Sequence, residues 1–179
     1  MFKKILLALV LIVALFAGVV ALQPADFRIT RSATFAAPVA TVFAQVNDLH
    51  KWEAWSPWAK LDPQMKQTYE GAPAGVGAIT SWAGNDEVGE GRMTIMESRP
   101  DQSIRIKLEF IKPFTATNTA EFDFKPEGAQ TTVTWSMSGT NNFVSKAFGL
   151  FMNVDKMVGA DFEKGLANLK KVVESPPKA

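Results

Sequence analysis

Between Ser103 and Ile111 the side chains alternate without a break, with Ile104, Ile106, Leu108 and Phe110 on one side of an extended chain and Arg105, Lys107 and Glu109 on the other. Successive side chains of a strand point to opposite faces, so this is the pattern of a strand with one dry face and one wet face. The same alternation places Ala120, Phe122 and Phe124 on one face of Thr115–Phe124, and Val133, Trp135 and Met137 on one face of Thr131–Gly139. Phe27–Phe35, Met65–Glu70, Val76–Ala83 and Val88–Glu97 add four more candidate strands bounded by turn residues. Gly84-Asn85-Asp86 and Pro126-Glu127-Gly128 supply the positive or preset φ that tight reversals need. Seven strands in this style predict a one-sided antiparallel sheet, and a one-sided sheet must be covered.

The cover is legible further on. Phe148, Phe151, Val154, Val158, Phe162, Leu166, Leu169 and Val173 recur at intervals of three and four, which predicts one long helix with a continuous apolar stripe. A kink is expected at Gly159 and an end at Pro176-Pro177. Earlier, Pro38 opens a shorter helix carrying Val39, Val42, Phe43 and Val46 as far as Asn47-Asp48. Trp52, Trp55 and Trp58 then fit a second short helix or turn, with Pro57 limiting its length. The expected order is strand, two short helices, six strands, long helix: an α+β domain.

Ahead of this domain, Ile5 to Leu22 carries no charged or strongly polar side chain, and at 1.5 Å per residue it spans about 27 Å. Lys3 and Lys4 precede it. The run is longer than the usual core of a signal peptide and ends at Gln23-Pro24 without an A-x-A pattern, which favours a retained anchor; a signal peptide cut after Ala21 is the alternative. Either way the lysine pair stays on the cytoplasmic side and the domain is exported, to the periplasm or the extracellular side. The expected division is an anchor over 1–25, a domain over 26–175 and a polar tail over 176–179.

Composition narrows the chemistry. There is no Cys, which removes disulfides, thiolate nucleophiles and Cys-based metal sites, and the single His, His50, would need carboxylate partners alone to hold zinc. With Lys+Arg 19 against Asp+Glu 18, the chain has no polycationic face for nucleic acid. Gly75-Val76-Gly77 and Gly89-Glu90-Gly91 do not lead into helices, so they read as strand starts or bulges rather than phosphate loops. No metal or cofactor is expected.

This order of elements resembles the helix-grip fold of the SRPBCC superfamily, which includes the birch pollen allergen, START lipid-transfer domains and bacterial polyketide cyclases. Within it, Val46-Asn47-Asp48-Leu49-His50-Lys51-Trp52-Glu53-Ala54-Trp55-Ser56-Pro57-Trp58, Gly89-Glu90-Gly91-Arg92-Met93-Thr94-Ile95 and Met157-Val158-Gly159-Ala160-Asp161-Phe162-Glu163-Lys164-Gly165-Leu166 are similar to bacterial membrane-anchored polyketide cyclase/dehydrase-like proteins. The likeness covers about residues 26–174. It implies a curved seven-stranded sheet around the long helix with an apolar cavity between them. It implies no catalytic set, because the superfamily places carriers, sensors and cyclases on one fold.

By alternation and helical period, the residues expected to line such a cavity are Trp55, Trp82, Met93, Phe110, Phe122, Trp135 and Met137, faced by Phe151, Val154, Val158 and Phe162 from the helix. Each aromatic or Met has a second role open to it, that of ordinary core. Met93 and Ile95 are expected inside, leaving Glu90 and Arg92 outside. The first functional expectation is a membrane-anchored module that holds an apolar or amphipathic small molecule, lipid-like or polyketide-like, with the bilayer met through Ile5 to Leu22. Alternatives are a cyclase- or dehydratase-type enzyme using His50, Glu53 or Tyr69 for proton transfer, and an interaction domain with a solid interior.

Overall fold

A computed structural model describes residues 1–175. Helix α1 (Phe2–Ala21) leads almost directly into β1 (Asp26–Phe35). There follow α2 (Val39–Val46), a 3-10 helix (Leu49–Ala54), and strands β2 (Lys66–Gly71), β3 (Ala78–Ala83), β4 (Glu90–Arg99), β5 (Ser103–Lys112), β6 (Ala116–Glu127) and β7 (Gln130–Thr140). Helices α3 (Phe143–Gly149) and α4 (Val154–Glu174) complete the described chain. The tail over 176–179 and the expected stop at Pro176-Pro177 lie outside the described residues.

The seven strands form one curved sheet in the order β1-β7-β6-β5-β4-β3-β2, antiparallel throughout. Its architecture is the helix-grip arrangement that the resemblance implies. The inner face follows the alternation: Ile29, Ile95, Ile104, Ile106, Ala120, Phe122, Val133 and Trp135 are all buried. Val42, Phe43 and Val46 of α2, with Leu49 and Trp52 of the 3-10 helix and Trp55 just after it, close one end of this core. Trp52 donates its indole N–H to the Val46 carbonyl (2.9 Å) and Trp55 to that of Gln45 (3.3 Å), which pins the 3-10 turn to the helix before it. Glu90 and Arg92 project from the outer side, where Glu90 pairs with Lys112 at 2.8 Å and Arg92 lies 3.6 Å from Glu70.

Two expectations about the C-terminal third need correction. The stripe from Phe148 to Val173 is two helices, not one, because Asn153 caps a new helix by accepting the Lys156 amide (2.9 Å), and Asp155 sits favourably in its first turn. Phe148 therefore belongs to α3, and Phe151 to the link between the helices. Helix α4 also runs unbroken through Gly159. Glycine is required there by close approach: a Cβ would meet the guanidinium of Arg31.

Arg31 is a cation on the inner side of β1, where alternation with Ile29 and Ala33 would call for an apolar residue. It bonds Glu163 Oε1 (2.7 Å), Asp155 Oδ2 (3.1 Å) and the Asp155 carbonyl (3.0 Å), fastening the N-terminal half of α4 to the sheet edge. These contacts hold the guanidinium pKa above its ordinary value, the hydrogen bond that Arg31 donates to Asp155 contributing most. Further along α4, Gly165 lets the helix sit on Trp135, since an added Cβ would lie 2.8 Å from the indole and 3.1 Å from Pro57. Gly165→Ala is expected to lower stability by about 1–3 kcal/mol, the usual range for overpacking, as read from the urea midpoint.

On the outer face Arg105 bridges Glu97 (2.7 Å) and Glu121 (2.8 Å), and Arg28 reaches Glu121 at 3.2 Å. Burial alone would raise the Glu121 pKa, but hydrogen bonds from Arg105 and Arg28 outweigh it and hold the carboxyl below the ordinary carboxylate value. A carboxyl depressed in the folded state stabilises fully above its unfolded pKa and stops doing so as pH falls through the folded one. Urea midpoints are expected to drop on acidification through that window, and Glu121→Gln to flatten the drop.

Candidate functional site

The inner face is covered unevenly. Helix α4 lies along β1 and reaches Trp135 of β7, while α2 and the 3-10 helix cover the end where β1 runs into α2. The central strands at the other end, nearer α1, are left partly open. Trp82 on β3, Met93 on β4, and Leu108 and Phe110 on β5 all face inward yet are only half-buried, unlike Ile95, Ile104 and Ile106 on the same strands.

Register explains their grouping. Trp82, Gly91 and Phe110 are cross-strand neighbours on one rung, and Thr80, Met93 and Leu108 on the next. Gly91 has no side chain, so the Trp82 ring lies across its backbone and meets Phe110 edge to face (centroids 6.2 Å apart). A Cβ at Gly91 would collide with that ring. Trp82 donates its N–H to the Val88 carbonyl (3.0 Å), which fixes the ring. Polar groups border the surface: Gln67 Nε2 reaches Thr80 Oγ1 at 3.1 Å, and the Asn118 amide lies 3.8 Å from the Met137 sulfur. Thr80, Gln67 and Leu108 escaped the sequence-based cavity list, although the Ala78-Thr80-Trp82 alternation was the signal that would have placed Thr80 inward.

Behind this surface the rings are packed. Trp135 lies between Phe122 (4.8 Å, 25°) and Phe162 (4.1 Å, 7°), with Trp55 against it edge to face at 5.8 Å. Trp55, Phe122, Trp135 and Phe162 are at most 2% exposed, so they form a filled aromatic block. Within it the Trp135 indole N–H is buried and finds no acceptor among the described residues. An unmet donor of this kind is costly unless a water or ligand oxygen meets it. Met137 and Val158 flank the block, whereas Val154 and Phe151 are exposed, Phe151 at 78%. Phe151 thus does not reach the sheet: it packs on Phe16 of α1 (6.3 Å).

His50 and Tyr69 come together outside this surface, their rings stacked at 4.0 Å and 18°. His50 lies 3.1 Å from Asp48 and is half exposed, and Glu53 is exposed. Burial, then the carboxylates of Glu53 and Asp48, holds the Tyr69 phenol above its ordinary pKa, so it is a donor at neutral pH and not a base. A separate groove, of about 800 Å³, runs between the segment after the 3-10 helix and the C-terminal half of α4. Open to solvent and lined by Lys60, Lys164 and Lys171 without an aromatic ring, it cannot enclose an apolar molecule.

Residues 26–174 match the family described as polyketide cyclase / dehydrase and lipid transport. No curated protein matches the chain. Among solved structures it is similar to protein CV1439 from Chromobacterium violaceum, with a TM-score of 0.60 and 14% identity over 86% of this chain and 100% of that one. It is also similar to the di-domain ARO/CYC protein BexL from the BE-7585A biosynthetic pathway (TM-score 0.61, 17% identity, 88% of this chain and 53% of that one) and to Ara h 8.0201 (TM-score 0.59, 11% identity, 84% and 99%). At these identities the likeness is one of fold.

Proposed function

Because the chain belongs to the polyketide cyclase/dehydrase and lipid transport family, we propose that its domain holds an apolar or amphipathic small molecule, lipid-like or polyketide-like, between the sheet and α4, and that α1 retains it in a membrane. The observation that carries this reading is the half-open inner face of β3–β5. Apolar side chains on the inner face of interior strands are ordinarily covered, and here Trp82, Met93, Leu108 and Phe110 are only partly so. Together with Met137 and Val158 they are the walls of the proposed site. Trp55, Phe122, Trp135 and Phe162 form its floor, and Val154 and Phe151 lie at its mouth. Aromatic and Met lining suits varied apolar ligands, because flat rings give contact area and Met adapts to shape.

Retention in the membrane is supported by α1, which is long and apolar enough to cross a bilayer and is almost wholly exposed. Its last turn is the exception, with Val20 buried against the domain. The N-terminal lysines support a position of the domain on the outer side, by the positive-inside rule.

Native mass spectrometry of the detergent-extracted full-length protein is expected to show a bound small molecule that leaves on activation. Uptake of a fluorescent fatty acid supplies the quantitative check. Leu108→Trp is expected to weaken uptake at least about tenfold with the unfolding midpoint nearly unchanged, because the new ring enters half-open space. If wild type takes up no probe and Leu108→Trp costs the roughly 1–3 kcal/mol of an overpacked core, the carrier reading is wrong and the interior is solid.

A further inference from the structure

Most of the large apolar side chains exposed outside α1 lie at one end of the domain. Phe143, Val144 and Phe148 of α3, and Leu150, Phe151 and Met152 of the link to α4, form a single run of exposed apolar positions. Phe114, 64% exposed at the tip of the β5–β6 hairpin, joins them by packing on Phe148 (6.0 Å). The hairpin and the start of β1 belong to the same end of the sheet, so this surface surrounds the point where α1 enters the domain. Trp82 and Phe110 occupy the rung nearest that end.

We propose that this surface is seated in the outer leaflet of the bilayer, so that the open inner face of β3–β5 is presented to the membrane and takes its ligand from the lipid phase. The inference rests on α1 being a membrane span. Geometry then does the rest: Phe151 packs on Phe16, and Phe16 lies six residues before Leu22, about 9 Å back along the helix axis. A side chain that touches a spanning helix inside its apolar stretch is itself at the depth of the acyl chains, within the roughly 5–10 Å reached by interfacial helices. The link and α3 are therefore carried into the leaflet by their contact with α1. Charge agrees with this placement, since Lys146 and Lys156 flank the surface and suit anionic headgroups, while Asp155 beside them is occupied by Arg31. The ligand class follows: a molecule already dissolved in the leaflet, with an acyl or isoprenoid body that lies against Trp82, Met93, Leu108 and Phe110.

The chain has no Cys, so single substitutions give unique labelling positions. The full-length protein carrying Phe114→Cys, Phe148→Cys or Phe151→Cys, labelled with an environment-sensitive fluorophore, is reconstituted in vesicles of phosphatidylcholine and phosphatidylglycerol. Leu11→Cys reports on α1, Val76→Cys on the far end of the sheet, and Val144→Cys is a milder substitution on α3 should a phenylalanine variant unfold. Labels at 114, 144, 148 and 151 are expected to be quenched severalfold by nitroxide lipid and shielded from aqueous iodide, as at position 11, with position 76 showing the reverse. If position 11 is lipid-quenched but the surface labels are open to iodide, α1 spans and the docking proposal is overturned. If position 11 is also open to iodide, the membrane-span reading fails and takes the proposal with it. Surface labels shielded from both quenchers overturn it in favour of a protein partner or a second copy of the chain.

Discussion

Trp135→Ala is expected to lower the stability of the domain by about 3–5 kcal/mol, the range for emptying a large aromatic site in a close-packed core. The indole is 2% exposed and is sandwiched between Phe122 and Phe162, with Trp52, Trp55 and Trp58 meeting it edge to face. Nothing nearby can collapse into the gap, because the neighbours are rings fixed on a strand, on the helix α4, and on the 3-10 helix and the segment that follows it. Gly165 has already brought α4 as close as it can come. Urea or thermal unfolding measures the effect. A loss below about 1 kcal/mol would mean that the block is loosely packed and that the space is shared with solvent or ligand.

Val10→Arg together with Val13→Arg is expected to move the protein out of the membrane fraction. Each arginine at the centre of a spanning helix costs about 2.5–3.5 kcal/mol, so the pair costs about 5–7 kcal/mol, roughly four orders of magnitude in partitioning. The variant domain is expected to remain folded, because within α1 only Val20 is buried. Wild type, in contrast, is expected in membranes at full length. Recovering wild type only as a soluble species that begins at Leu22 would show that the segment is a cleaved signal.

The strand alternation made the sheet and its inner face readable, and the observed pairings keep the face assigned to Ile104, Ile106, Phe122, Val133 and Trp135. The C-terminal helix was readable in type but not in continuity. Apolar period alone bridged Phe148 to Val154, and the stop lay in a capping residue, Asn153, whose side chain competes for the backbone only where the chain is free to turn. Gly159 looked like a weak point in a helix, and the reason for it sits on a strand more than a hundred residues earlier in the chain, where Arg31 enters its space. The candidate site divided for a similar reason. Alternation could say that Trp82, Met93, Phe110, Phe122 and Trp135 share a face, but which of them would be filled in and which left open depends on where α2, α4 and the 3-10 helix come to rest.

By itself the sequence determined the local and periodic properties: an apolar run of membrane length, strands with one dry face, the amphipathic stripe, and the lack of any cysteine. These follow from side-chain hydrophobicity and the two backbone periods, which need no knowledge of distant residues. Tertiary structure alone decided what depends on contacts between remote segments. It set Arg31 in the notch at Gly159, stacked Phe162 on Trp135, left the inner face of β3–β5 half open, and brought Phe151 onto Phe16. Packing is a property of pairs of surfaces, and no single segment carries the shape of the one it will meet.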